Sequence, residues 1–112
     1  MGELSFLFTL SEEKKDRIRV TAQKEKGEIL KFVVQYEALI RGKWHPIVRY
    51  DTSHGFAHKD LIYPGGTEEK QPLHFQSFNV ALTFAIQDIK ILWRWYRMAH
   101  EKEFGNEKGS SH

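Results

Sequence analysis

The apolar positions along this chain change their period once. From Leu4 to Tyr50 they recur at every second residue, whereas from Phe78 to Met98 they crowd around most of a helix. Leu4, Phe6, Phe8 and Leu10 alternate with Ser5, Leu7 and Thr9, and Ile18, Val20 and Ala22 alternate with Arg17, Arg19 and Thr21. Such alternation marks strands with one buried face. The charged connection Ser11 to Asp16 makes a hairpin of the two, and Gln23 to Glu28 is a polar turn around Gly27.

Residues 29–40 read as the strongest strand. Leu30, Phe32, Val34, Tyr36, Ala38 and Ile40 form an apolar row, with Lys31, Gln35 and Glu37 on the other face. After the tight turn at Arg41-Gly42, residues 44–51 return. Trp44, Pro46, Val48 and Tyr50 then lie on one face, and His45, Ile47, Arg49 and Asp51 on the other. Matching the apolar faces selects a three-residue loop, Arg41 to Lys43, which pairs Ile40 with Trp44, Tyr36 with Val48 and Val34 with Tyr50. It also sets Gln35 opposite Arg49; a one-residue slip would turn every side chain to the wrong face. Pro46 has no N–H and marks an edge position or a bulge. Asp60 to Tyr63 reads as a short strand closed by Pro64-Gly65-Gly66, and Gln71 to His74 as a further brief extended segment.

Ser77 is a good helix N-cap, and the helix is expected to run to about Phe104, with Gly105 as its stop. Its polar stripe is narrow: Asn79, Thr83, Gln87, Lys90, Arg94, Arg97 and Glu101. One sheet face cannot cover so much apolar surface, so a homodimer packed along residues 80–98 is expected. The fold class that results is α+β: an antiparallel sheet of four to five strands with one long C-terminal helix packed on one face.

The length of 112 residues fits a single domain, residues 1–108. The closing Gly109-Ser110-Ser111-His112 reads as an expression-tag remnant. With no cysteine there is no disulfide scaffold, thiol nucleophile or thiolate metal site. No apolar run reaches the ~18 residues a bilayer span needs, and the start lacks a basic region leading into an apolar one. A soluble, cytoplasmic protein without membrane contact is therefore expected, and no cofactor is implied. The net charge of +2 does not by itself call for nucleic acid.

Candidate chemistry concentrates in residues 49–64. Arg49, Asp51, His54, His58, Lys59 and Asp60 fall close together, with Tyr63 just beyond. Three chemistries are open to them. In the first, RNA is cut without metal: His54 and His58 act as acid and base, Arg49 and Lys59 stabilise the phosphorane charge, Asp51 orients an imidazole and Tyr63 is a spare donor. In the second, Asp51, His54, His58 and Asp60 hold a metal ion. In the third, Asp51-Thr52-Ser53 is turn chemistry and the histidines are structural or exposed.

The sheet face opposite the helix should carry Arg17, Arg19, Lys31, Gln35, Glu37, His45, Arg49 and Asp51. It offers either an RNA backbone site, with Arg17, Arg19 and Lys31 as binding groups, or a solvated face with cross-strand pairs such as Lys31 or Arg49 with Glu37. His74 reads as a loop residue near the helix N-terminus, and His100 as a dipole-compensating or solvent-facing one.

The stretch from Tyr36 to His74 resembles the TumE-type toxins of prokaryotic toxin–antitoxin modules. The likeness lies in the strand pair leading into Arg49-Tyr50-Asp51, the loop with His54 and His58, and the C-terminal helix that follows. It covers about a third of the chain. The resemblance implies action on RNA, a neutralising antitoxin protein as partner, and activity carried by Arg49, Asp51, His54 and His58. The expectation is a small RNA-directed protein, read as a metal-independent ribonuclease toxin. The alternative is a non-catalytic nucleic-acid-binding or homodimeric interaction protein.

Overall fold

A computed structural model describes the backbone of residues 2–110 and the side chains of residues 2–103. Met1, Ser111 and His112 lie outside the described residues, and with them part of the segment read as a tag remnant. The elements in chain order are β1 (Gly2–Thr9), β2 (Asp16–Glu25), β3 (Glu28–Ile40), β4 (Lys43–Asp51), β5 (His58–Ile62), β6 (Glu68–Pro72) and α1 (Phe78–Ser110). The strands form one antiparallel sheet in the order of the chain.

The fold is α+β with α1 on the sheet, but the sheet has six strands, not four or five. The additional strand is β6, which is exposed throughout, lacks apolar alternation, and begins three residues before the extended segment expected from Gln71. It is held through its backbone pairing with β5. Charged side chains and Pro72 at this edge discourage further strand pairing.

The β3–β4 register differs from expectation near the turn and agrees beyond it. Ile40 pairs with Lys43, so the loop is only Arg41-Gly42. Both residues have positive φ, 53° and 78°, as a two-residue hairpin turn with the twist of the strands demands. Leu39 then faces Trp44, and Ala38 faces His45. Further along, Tyr36 faces Val48, Gln35 faces Arg49 and Val34 faces Tyr50, as predicted. A β-bulge at Ile47 reconciles the two halves, next to the proline that cannot donate to the ladder. Because the extra residue lies in β4, Trp44 and His45 exchange the faces expected of them. The Arg17 guanidinium stacks on Trp44, 3.7 Å from the ring centroid. His45 turns to the helix side, with its ring 6.1 Å from that of His100.

The core is the helix-facing row of the middle strands. Ile18, Val20, Phe32, Val34, Tyr36, Ala38, Val48 and Tyr50 pack with Ala81, Ala85, Ile89, Trp93 and Tyr96 of α1. Small residues at 81 and 85 let the first turns of the helix lie close to the sheet. Ser77 caps the helix as predicted, its Oγ accepting the Val80 N–H at 3.2 Å. The helix continues past Gly105, the expected stop, to Ser110.

Polar bonds fix α1 at three levels. Asn79 accepts the Ile29 N–H at 2.8 Å and donates to the Gly27 carbonyl at 2.9 Å. Asp88 accepts from Tyr50 in the middle. Arg97 donates to Asp16 at 2.7 Å and to the Leu39 carbonyl at 3.1 Å. His100 is buried, with Nδ1 2.9 Å from the Ile62 carbonyl, and so is part of the helix–sheet joint, not a solvent-facing residue. Among the described residues no helix is long and apolar enough to cross a membrane.

Candidate functional site

Period-two alternation decides which side chains of the 49–64 segment can work together. Arg49 lies opposite Asp60, and Asp51 opposite His58, so these four form a square on the sheet face away from α1. His58 is thus the first residue of β5, not a loop residue. Lys59, between His58 and Asp60, turns to the helix side and pairs across from Tyr50. It does not join the histidines. Tyr63 also stands apart, donating its hydroxyl proton to Glu69 at 2.9 Å.

The turn after β4 is built by Asp51 itself. Its Oδ1 accepts from the Ser53 N–H at 3.1 Å and the Ser53 hydroxyl at 3.0 Å. Gly55 closes the turn by donating to the Thr52 carbonyl at 3.0 Å, with φ of 83°. That conformation suits glycine and carries strain for other residues. Thr52 is buried and accepts the Phe32 N–H at 3.1 Å. The turn brings the exposed His54 ring to 5.3 Å from that of His58, and Phe56 to 5.8 Å.

His58 is only 3% exposed. Its Nε2 lies 2.8 Å from Asp51 Oδ1 and 3.7 Å from Asp60 Oδ2. Nε2 therefore carries a proton donated toward Asp51, which fixes the ring, while Nδ1 is buried without a hydrogen-bond partner. Asp60 is 2% exposed, and the Lys70 ammonium approaches its Oδ1 at 3.6 Å. Of the four suggested metal ligands, Asp51, His58 and Asp60 offer atoms within 4.8 Å of one another, and His54 stays on the solvent side. The fit to a cation is poor: Asp51 Oδ1 already serves three donors. A ligating histidine also needs an acceptor behind its other nitrogen, which His58 lacks.

The remaining basic residues of this face are largely occupied. Glu37, only 7% exposed, accepts from Arg17 at 2.7 Å, Arg19 at 3.2 Å and Gln35 at 2.6 Å. Burial raises its pKa, but these donors outweigh burial and hold the carboxyl below its usual range. Arg49 donates to Gln35 at 2.9 Å and lies 3.9 Å from Glu68. Lys31 differs: it lines an open groove of about 660 Å³ that runs beside Asp51 along Ser5, Thr21, Val33 and Ser53.

Sequence reasoning missed a second cluster, on the helix side. Asp88 accepts from the hydroxyls of Tyr50 and Tyr96 at 2.5 Å each. The Lys59 ammonium donates to Tyr96 Oη at 2.5 Å and lies 3.8 Å from Asp88. Burial pulls the Lys59 pKa down, and Asp88 only partly restores it. Burial, with the bond to Asp88, pushes Tyr50 and Tyr96 well above the usual phenol range. The available signal was the carboxylate at position 88, which lies outside the polar stripe, next to Ile89.

Fold and site together define a small α+β protein: an antiparallel meander closed by one helix, with an Asp–His pair on the open sheet face. The chain belongs to the family described as Domain of unknown function (DUF7718), whose model matches residues 1–106. No curated protein and no solved structure matches the chain.

Proposed function

We propose that this protein is directed at RNA and cleaves it without metal, in the manner of a toxin–antitoxin ribonuclease. The observation that carries the reading is the convergence of Arg49, Asp51 and His58 with the overlying, exposed His54 ring, beside a groove that holds Lys31. His54 is the histidine with access to a substrate. It takes the proton of the attacking 2′-hydroxyl as the 2′-oxygen–phosphorus bond forms, and water protonates the leaving 5′-oxygen as its bond to phosphorus breaks. His58, fixed by Asp51, is a positioning residue that holds the His54 ring from behind. Lys31 and the exposed part of Arg49 provide positive charge for the phosphate oxygens. A toxin of this kind has a neutralising protein partner, as the TumE likeness implies.

The non-catalytic alternative, RNA held by a basic sheet face, is less well supported because Arg17 and Arg19 are already bonded to Glu37. The test is cleavage of a mixed-sequence RNA in EDTA. Wild type should cut, and His54→Ala should lose on the order of 10²-fold or more in rate, the usual weight of one acid–base group. His58→Ala should lose less and shift the pH profile. RNA left intact by wild type at high protein concentration removes the reading.

A further inference from the structure

The outward side of α1 carries an apolar stripe. Val80 is 46% exposed, Phe84 42%, Ile91 72%, Trp95 60% and Met98 62%. These residues lie on the turns of the helix away from Ala81, Ala85 and Ile89, which face the sheet. Their exposed surface is on the order of 600 Å², from the size of aromatic and aliphatic side chains, the upper end of what a monomer leaves uncovered. The sheet has no further strand or loop to lay over it among the described residues.

We propose that a second copy of this chain covers the stripe, with the two α1 helices antiparallel about a two-fold axis at Ile91. Three features favour this occupant. First, the stripe is self-complementary. Phe84, Ile91 and Met98 are evenly spaced, so reversal about Ile91 sets Ile91 on itself and Phe84 on Met98 of the second copy. An isologous contact requires this kind of symmetry. Second, the dipoles fit reversal. A parallel pair would align the two helix dipoles, whereas reversal opposes them. Third, the area is adequate. Adding Gln87 and Arg94 to the stripe brings the covered surface toward the ~800 Å² per partner of a standard interface. This pairing does not rest on the RNA reading.

The chain has no cysteine, so single cysteines report the register directly. The full chain should sediment as a dimer at tens of micromolar and dissociate on dilution. Ile91→Glu should be monomeric at the same concentration and should melt where diluted, monomeric wild type melts, because Ile91 is mostly exposed within its own subunit. Under mild oxidation Ile91→Cys should give a disulfide-linked dimer, since only residues at the axis meet their own copies within disulfide reach. Met98→Cys should not, because Met98 faces Phe84. A wild type that stays monomeric overturns the proposal, including the case in which a different protein covers the stripe. Equal cross-linking at positions 91 and 98 overturns the antiparallel register, and a dimer indifferent to Ile91→Glu overturns the surface.

Discussion

Asp88→Ala tests whether the cluster on the helix side holds the fold or belongs to the functional site. In the wild type one carboxylate oxygen accepts from Tyr50 and Tyr96, and the Lys59 ammonium stands 3.8 Å away. Tyr50 is 1% exposed and Tyr96 5%. Alanine leaves the Tyr50 hydroxyl without an acceptor and removes the anion that offsets Lys59. Each buried donor so orphaned costs about 1–3 kcal/mol, and a mostly buried ammonium without its counter-ion adds to that, although deprotonation limits the sum. A loss of about 3–5 kcal/mol follows. In a domain of this size that lowers the melting temperature by roughly 10–25 °C, which circular dichroism at 222 nm reads directly. Asp88→Asn keeps an acceptor and should lose less than half as much. A melting temperature for Asp88→Ala within about 3 °C of wild type would refute the structural assignment and return Lys59 to the list of functional groups.

Alkaline pH should unfold the protein in one step. Burial, reinforced by Asp16 at Tyr36 and by Asp88 at the other two, raises the pKa of Tyr36, Tyr50 and Tyr96. A phenol whose pKa is raised on folding contributes stability that is complete below the unfolded value near 10 and lost above it. Three such groups remove about 4 kcal/mol per pH unit above 10. Lys59, with its pKa lowered on folding, acts the other way: stability rises with pH until the unfolded lysine deprotonates, near 10.5, and gains nothing beyond. Absorbance at 295 nm should show Tyr63 ionising separately and the other three together with loss of the sheet signal; four independent titrations near pH 10 with the sheet intact would contradict this. At the acid end, Glu37 has a lowered pKa, so its contribution is present above the unfolded value near 4.5 and lost as pH falls through the folded one. Glu37→Gln should therefore cost about 1–2 kcal/mol at neutral pH and approach wild type below pH 4; a gap that is constant with pH argues against the charge.

The strands β2 to β4 and the helix start were legible because alternation and capping are local. Ile18, Val20, Phe32, Val34 and Tyr36 name the buried face without reference to any partner. β6 was legible only at its end, in the extended segment beginning at Gln71, because its Glu68-Glu69-Lys70 run owes its form to backbone bonds with β5. The bulge at Ile47 was signalled by Pro46 but not placed, since its position depends on fitting a two-residue turn to a core register set farther along. Of the candidate site, Arg49, Asp51, His54 and His58 do come together. Lys59 and Tyr63 do not, because strand parity sends Lys59 through the sheet and Tyr63 turns to Glu69.

The sequence by itself determined the class of fold, the apolar row that the helix covers, and the stretch of chain where titratable groups collect. Those features follow from spacing, which needs no third dimension. Only the tertiary structure decided the rest. It made His58 a buried partner of Asp51 and left His54 exposed, and it spent Arg17 and Arg19 on Glu37. It drew Asp88, Tyr50, Tyr96 and Lys59 into one cluster from β4, β5 and α1. Burial and charge pairing depend on residues distant in the chain, and these decide whether a histidine or lysine meets a ligand or its own core.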